Sequence, residues 1–465
     1  MNPITLGTAY RNISQFHENA RLIAWLSGQP WVMWLTPERR KSVLFYGAII
    51  AGAVGVFSRN AKWRDYRALT PWLEHGLAFL ILLGILFALY RATVGFKQLP
   101  TIVRRRPQIC FHLIFWLLLA LLWFFAASEG FVIAVLSVIL LSFPYLIWRA
   151  GYMLLSGQRG KAQNSRFRDH LFYIWPIWDG TNTPPGKGHD YLSRTMAQTP
   201  DSYARTILGG LKLLLLVALW KIVLELIGVL IYGDPKSPFS ALLHDYTFGL
   251  PRVKQILSRQ SAFPLIQVWF SLYLELVWET LSLAAKGHVW VGVIRLFGFN
   301  IFRNTYKPLL AQTVVEFWNR YYYYFKELMM ESFFLPIYAR YFRNSPMLRL
   351  VAAVFAAAFV GNMYYHLLQH KEQLVDGDWH KLWSLLGARL IYCALLAAGI
   401  AISMLRQQRQ RSRLPAAQIG SASKLRSLRR IACVWTFFAV INFWNVVAPL
   451  TIAERTRLFF TLFGL

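Results

Sequence analysis

Apolar runs close to the length of a bilayer crossing recur along this chain, at 42–57, 72–93, 108–127, 131–148, 206–233, 262–284, 381–404 and 431–450. A lipid-embedded segment must satisfy its own backbone polar groups, so such runs are read as helices. Only 15% of the 465 residues are charged and 56% are hydrophobic, whereas a soluble chain carries nearer a quarter charged residues. The expected fold is all-α: a polytopic transmembrane helical bundle of about 9–12 membrane helices, some short or re-entrant. Residues 1–41 read as an N-terminal cytoplasmic or interfacial arm, whose WLSGQPWVMWL segment (25–35) suits the membrane interface. Residues 42–465 read as one multi-pass membrane domain.

The formal net charge is +29, from 50 Lys and Arg against 21 Asp and Glu. Basic residues gather in the cytoplasmic loops of membrane proteins, and no zinc-knuckle or recognition-helix pattern accompanies them here, so no nucleic-acid partner is expected. Arg104, Arg105 and Arg106, the loop 149–205 and the basic loop from Arg406 to Arg430 fit one orientation, with the N-terminus in the cytoplasm and a tight hairpin at 128–130. The basic loop 58–71 opposes that scheme. The loop from Arg406 also has the composition of a polybasic patch for anionic lipid. Residues 1–30 lack an apolar core behind a basic start, so no cleavable signal is expected. Cys110, Cys393 and Cys433 are widely spaced in or beside apolar runs, and read as buried thiols.

Ionisable residues within apolar runs are costly and are candidate functional sites. Glu275 and Glu279 fall one turn apart on one helix face, where they can bind a proton or cation, as a transporter needs, or face a polar interior. His366 lies near the end of an apolar run, and His370 follows one turn later. That pair is half a metal site with no third ligand in register, so no metal is expected. His370 is expected at the membrane surface, His189 solvated in its loop, and most of Tyr321, Tyr322, Tyr323 and Tyr324 in packing or an aromatic belt. The GKG at 186–188 lacks the spacing of a phosphate loop.

Three segments, in order, resemble the membrane-bound O-acyltransferase (MBOAT) family. The likeness is to its bacterial branch of alginate O-acetylases and teichoic acid D-alanyl transfer proteins. VGVIRLFGFNIFRN (291–304) is similar to that family's glycine helix, arginine, Leu-Phe-Gly-Phe and asparagine. Phe317-Trp318-Asn319-Arg320-Tyr321-Tyr322 stands where the family has an aromatic motif that leads into a helix. FVGNMYYHLL places His366 about where the family's membrane histidine falls. Weaker echoes are FYIWPIWDGTNTPPGKG and the glycine-leucine-lysine helix ILGGLKLLLL, so the likeness covers about 170–400. Three positions depart from it. Tyr322 stands in place of a second histidine, His288 in place of an aspartate, and Tyr365 and Leu367 flank His366 where the family usually has tryptophan and glycine.

The resemblance implies transfer of an acyl group from a thioester to a hydroxyl in the inner (cytoplasmic) membrane. The donor would be acyl-CoA or an acyl-carrier protein, the acceptor a hydroxyl of a glycan, lipid or small metabolite, and no further cofactor is implied. A hydroxyl needs a base within hydrogen-bond reach, a role implied for His366. Tyr322 or Asn319 would donate to the oxyanion. Trp318 and Arg320 would contact substrate, Arg320 either binding an anionic part of the donor or bracing its helix. A transporter using Glu275 and Glu279, or a non-catalytic membrane scaffold, are the other readings.

Overall fold

A chain this apolar builds helices that bury one face on protein and leave the other for lipid. The computed structural model describes residues 15–59, 71–125, 130–174, 187–258, 263–413 and 424–465. Among these residues there is no strand, only an isolated bridge between Met196 and Phe299. Seven helical stretches among them are long and apolar enough to cross a membrane: Pro37–Phe57, Trp72–Val94, Pro107–Phe124, Phe131–Gln158, Pro200–Leu230, Pro346–Gln369 and Trp379–Gln410. The protein is a multi-pass, all-helical membrane protein. The expected hairpin at 128–130, the loop 58–71 and most of the Gly/Pro segment at 175–186 lie largely outside the described residues.

Two compact units partition the chain, a finer division than the single domain expected over 42–465: Met1–Leu216 with His288–Arg303, and Val217–Gly287 with Asn304–Leu465. In the first unit the leading helices are α1 (Pro37–Arg59), α2 (Pro71–Val94), α3 (Pro107–Phe124) and α4 (Phe131–Gln158). α1 starts at Pro37, five residues before the first expected apolar run. α4 is the centre, with 83% of its apolar window buried against 22–28% for the windows of α1, α2 and α3. The outer helices expose large apolar side chains such as Leu80, Leu113 and Leu117, the surface a bilayer covers. α4 meets α2 at Gly157, where a Cβ would come within 2.6 Å of the Thr93 carbonyl oxygen. Two short helices of the arm, Ala20–Ser27 and Pro30–Trp34, seat Ile23, Leu26 and Val32 on Tyr203, Ile207 and Leu208. They leave Trp25, Trp31 and Trp34 exposed.

α5 (Pro200–Leu230) and α6 (Leu265–Leu296) contribute to both units. In the second unit the further helices are α7 (Val314–Tyr321), α8 (Tyr323–Met329), α9 (Leu335–Arg340), α10 (Pro346–Phe355), α11 (Asn362–Gln369), α12 (Trp379–Arg413), α13 (Lys424–Asn442) and α14 (Ile452–Thr461). Two π-helical turns, Met330–Phe334 and Ala356–Gly361, interrupt the helices on either side of them. They meet where the Phe333 ring covers Gly361, leaving no room for a Cβ.

The apolar run expected to span 431–450 does not remain a helix. α13 stops at Asn442, and Phe443 and Trp444 turn into a core with Val253, Ile256, Leu257 and Leu272. The carbonyls freed there need donors. The buried Arg455 of α14 supplies them, reaching the oxygen of Val446 at 2.9 Å and those of Phe443 and Trp444 at 3.4 and 3.5 Å.

Candidate functional site

The conspicuous sequence segments first of all build the scaffold. In the first unit, α5 and α6 cross at Gly210 and Gly292, close enough that a Cβ on Gly210 would lie 2.8 Å from the Gly292 oxygen. Arg295 closes the end of α6 by donating from Nε to the Ile301 carbonyl at 3.1 Å and from Nη2 at 2.6 Å. Gly298 turns the chain at φ +89° directly against the Arg40 guanidinium. Arg40 donates to the Ala197 and Phe297 carbonyls at 2.5 and 3.3 Å, and lies 4.1 Å from the Tyr203 ring centroid.

In the second unit, Asn304 forms the break between α7 and α8. Its carbonyl accepts from Tyr323 N at 2.8 Å, and its side-chain oxygen accepts from Tyr324 N at 3.3 Å. Thr305 donates to the Tyr321 carbonyl at 2.9 Å, and Tyr306 N to the Arg320 carbonyl at 2.8 Å. The break sits at Tyr322 (φ −141°, ψ 80°), which points successive aromatic side chains in different directions. Phe325 is the hub: Trp318, Tyr322 and Tyr365 lie 6.0, 5.5 and 4.7 Å from it between ring centroids.

His366, half-buried on α11, follows Tyr365 but bonds in another direction. Its Nδ1 lies 3.0 Å from Arg389 Nη1 and 3.3 Å from the Gln369 side-chain oxygen. A guanidinium only donates, so Nδ1 accepts and the ring proton sits on Nε2. The Gln369 amide agrees with that tautomer when its NH2 group is turned toward the ring. Arg389 also donates to the Asn445 carbonyl at 3.3 Å. Its charge interacts with Glu279, which lies beside the Asn442 side chain. Tyr321 and Tyr392 face the same carboxylate. The histidine of one sequence reading and the glutamate of another thus belong to one cluster, joined by Arg389. Glu275 points elsewhere, toward Arg252 and Tyr232.

The remaining candidates separate. Trp318 and Asn319 line a cavity of about 230 Å³ whose other walls are mostly apolar. The π-turns make it: Met330 and Phe334 come from one, Ala357 and Ala358 from the other. A π-turn re-aims side chains and is frequent at functional sites. Arg320 is held on its own helix by Glu316 at 2.5 Å and donates to the Lys307 carbonyl at 3.4 Å, the bracing arrangement. His366 and Tyr322 are connected through Phe325 and Tyr365, and the polar partners of the imidazole are Arg389 and Gln369.

No three His, Cys, Asp or Glu side chains converge on a metal position among the described residues. His370 is half-buried, and burial, then Arg389, hold its imidazole below the usual range. His189 is not solvated as expected. Its ring centroid lies 4.8 Å from that of His170, its Nδ1 is 3.7 Å from Asp190, and His170 Nε2 is 2.8 Å from Ser165 Oγ. Since Ser165 Oγ donates to the Ala162 carbonyl at 2.7 Å, His170 donates to Ser165. That pairing makes His170 structural.

Sequence reasoning missed Arg389 and Asn442. A single arginine well inside the run 381–404 is the signal that points to the first; nothing marks the second. No protein-family model and no curated protein matches this chain.

Proposed function

We propose that this is an integral membrane O-acyltransferase of the inner membrane, moving an acyl group from a thioester to a hydroxyl. The observation that carries this reading is the cavity bearing Trp318 and Asn319, in the same unit as the His366 cluster. It is smaller than the roughly 300–1,000 Å³ of drug-sized sites, is mostly apolar, and suits a short acyl chain. Asn319 and Lys326 are its polar features.

In the resting arrangement the lone pair of His366 lies under Arg389 and Nε2 presents a donor. To act as base, the imidazole exchanges Arg389 for the acceptor hydroxyl, and Arg389 moves toward Glu279 and the Asn445 carbonyl. The hydroxyl oxygen then attacks the thioester carbon as its proton passes to His366. Asn319 or Tyr322 donates to the tetrahedral oxyanion. Its collapse breaks the carbon–sulfur bond, and the imidazolium returns the proton to the departing thiolate. Positioned proton transfer of this kind contributes about 10²–10⁴-fold. The donor is acyl-CoA or an acyl-carrier protein, and the acceptor a glycan, lipid or small metabolite.

The test is release of free thiol from acetyl-CoA by the purified protein when envelope extract is added. The native protein should release thiol and His366→Ala should not. Equal release by both would remove His366 from the reaction. Glu279 in the same cluster favours a second reading, proton-coupled transport; there Glu279→Gln abolishes uptake while His366→Ala leaves it intact.

A further inference from the structure

A second, larger cavity of the same unit has a different chemistry. It measures about 760 Å³, lies between α12 and α13 and is closed at one end by the start of α7. Arg406 on α12 and Arg426, Arg429 and Arg430 on α13 line it, and among the described residues no carboxylate does. Among the described residues, Arg406, Arg429 and Arg430 form no ion pair. The four guanidinium groups are exposed, so water screens their mutual repulsion, and an anion placed among them is attracted by each and can be held in a bidentate fashion. Positive charge alone would serve orientation in the membrane from any place on the loop; here it is gathered around a cavity.

The far wall is apolar, with Ile402, Val434 and Phe437, and Gly399 gives way to the Phe437 ring, which stands where its Cβ would be. The end near α7 is fixed. Gln407 donates to Thr313 Oγ1 at 3.1 Å, Thr313 accepts from Glu316 N at 3.1 Å, and Trp435 donates to the Leu309 carbonyl at 2.8 Å. A cavity with arginines toward one end and hydrocarbon toward the other matches an amphiphile whose anionic head is a phosphate, which guanidinium binds in a bidentate fashion.

We infer that this cavity is a binding site for a phosphate-bearing amphiphile, with the phosphate on the arginines of α12 and α13 and an apolar portion against Ile402, Val434 and Phe437. Two sources carry that chemistry: an anionic phospholipid and the phosphopantetheine-bearing nucleotide coenzyme A. The lipid assignment stands apart from the acyltransferase reading, whereas the coenzyme A assignment rests on it.

Binding to the detergent-purified full chain tests it, by native mass spectrometry and titration with phosphatidic acid, phosphatidylcholine and coenzyme A. Either phosphatidic acid or coenzyme A should bind at least about tenfold more tightly than phosphatidylcholine. Arg429→Gln with Arg430→Gln should erase that preference, while Arg340→Gln with Arg343→Gln, removing two charges elsewhere, should keep it. Phosphatidic acid that coenzyme A does not displace identifies the lipid; displacement identifies the nucleotide. Should the pocket double variant not fold, Ser403→Trp fills the cavity without changing charge and must lose the same preference. Equal binding of phosphatidylcholine, equal losses in both arginine pairs, or full binding by Ser403→Trp would each overturn the assignment.

Discussion

Arg40 in the first unit and Arg389 in the second both sit within long apolar helices, yet their guanidinium groups meet different partners. Arg40 donates to two backbone carbonyls and lies over a tyrosine, closing a turn at Gly298. None of those partners can change protonation near neutral pH. Arg389 donates to a histidine and a carbonyl and shares its field with a glutamate. A buried arginine satisfied by carbonyls holds a fold together, as Arg455 does at the end of α13. One that sits between titratable groups ties its position to their protonation. The comparison separates architecture from chemistry in a molecule where composition makes all buried charge look alike.

The sharpest way to break the comparison is to remove both arginines in turn. Arg40→Met strands the Ala197 and Phe297 carbonyls and should destabilise the first unit by roughly 4 kcal/mol. Thermal unfolding in detergent would read this as a large fall in Tm and a low folded yield; an unchanged Tm would remove Arg40 from the scaffold.

The histidine pair of the first unit provides the next test. Burial, then neighbouring His189, push His170 down to about 4 from an ordinary 6.5, against the opposing pull of Asp169 and Asp190. Between those values the unfolded chain binds the extra proton, so stability rises with pH. The stabilisation is complete above about 6.5 and is lost as pH falls toward 4, about 3 kcal/mol in all. His170→Gln should flatten that acid limb of the unfolding curve. A limb of unchanged steepness in the variant would assign the pH dependence to other groups.

Arg389→Met should leave folded yield near normal while acyl transfer falls about a hundredfold, because Arg389 sets the tautomer and ring orientation of His366 before it gives way to the acceptor hydroxyl. Loss of fold instead of activity would make the two arginines equivalent. A smaller effect should follow in the cavity: Ala358→Leu, at its π-turn wall, should shift preference toward a shorter acyl donor by about tenfold. Competition between donors of two chain lengths measures it, and an unchanged ratio would place the chain elsewhere.

These contrasts also mark what the chain makes legible before folding. The crossing helices are readable because lipid demands continuous apolar runs. The failure at 431–450 is harder to read: α13 ends at Asn442, and the carbonyls beyond it take their donors from Arg455 on the following helix. Trp318, Asn319 and His366 are readable as candidates from the resemblance. The route from Tyr322 to His366 through Phe325 is not, since helix breaks and π-turns fix it. Glu279 is conspicuous as a charge in an apolar run, but its connection to His366 needs Arg389, far along the chain. His189 reads as solvated because its partner His170 lies across a Gly/Pro-rich stretch that carries no periodicity.

The most direct test of His366 as the centre of the chemistry is comparative mass spectrometry of envelope and metabolite extracts. Cells would carry either the native protein or His366→Ala at matched membrane levels. An acylated species should be present with the native protein and absent with the variant, its mass giving the acyl group. Persistence of every acylated species with folded His366→Ala in the membrane would contradict it.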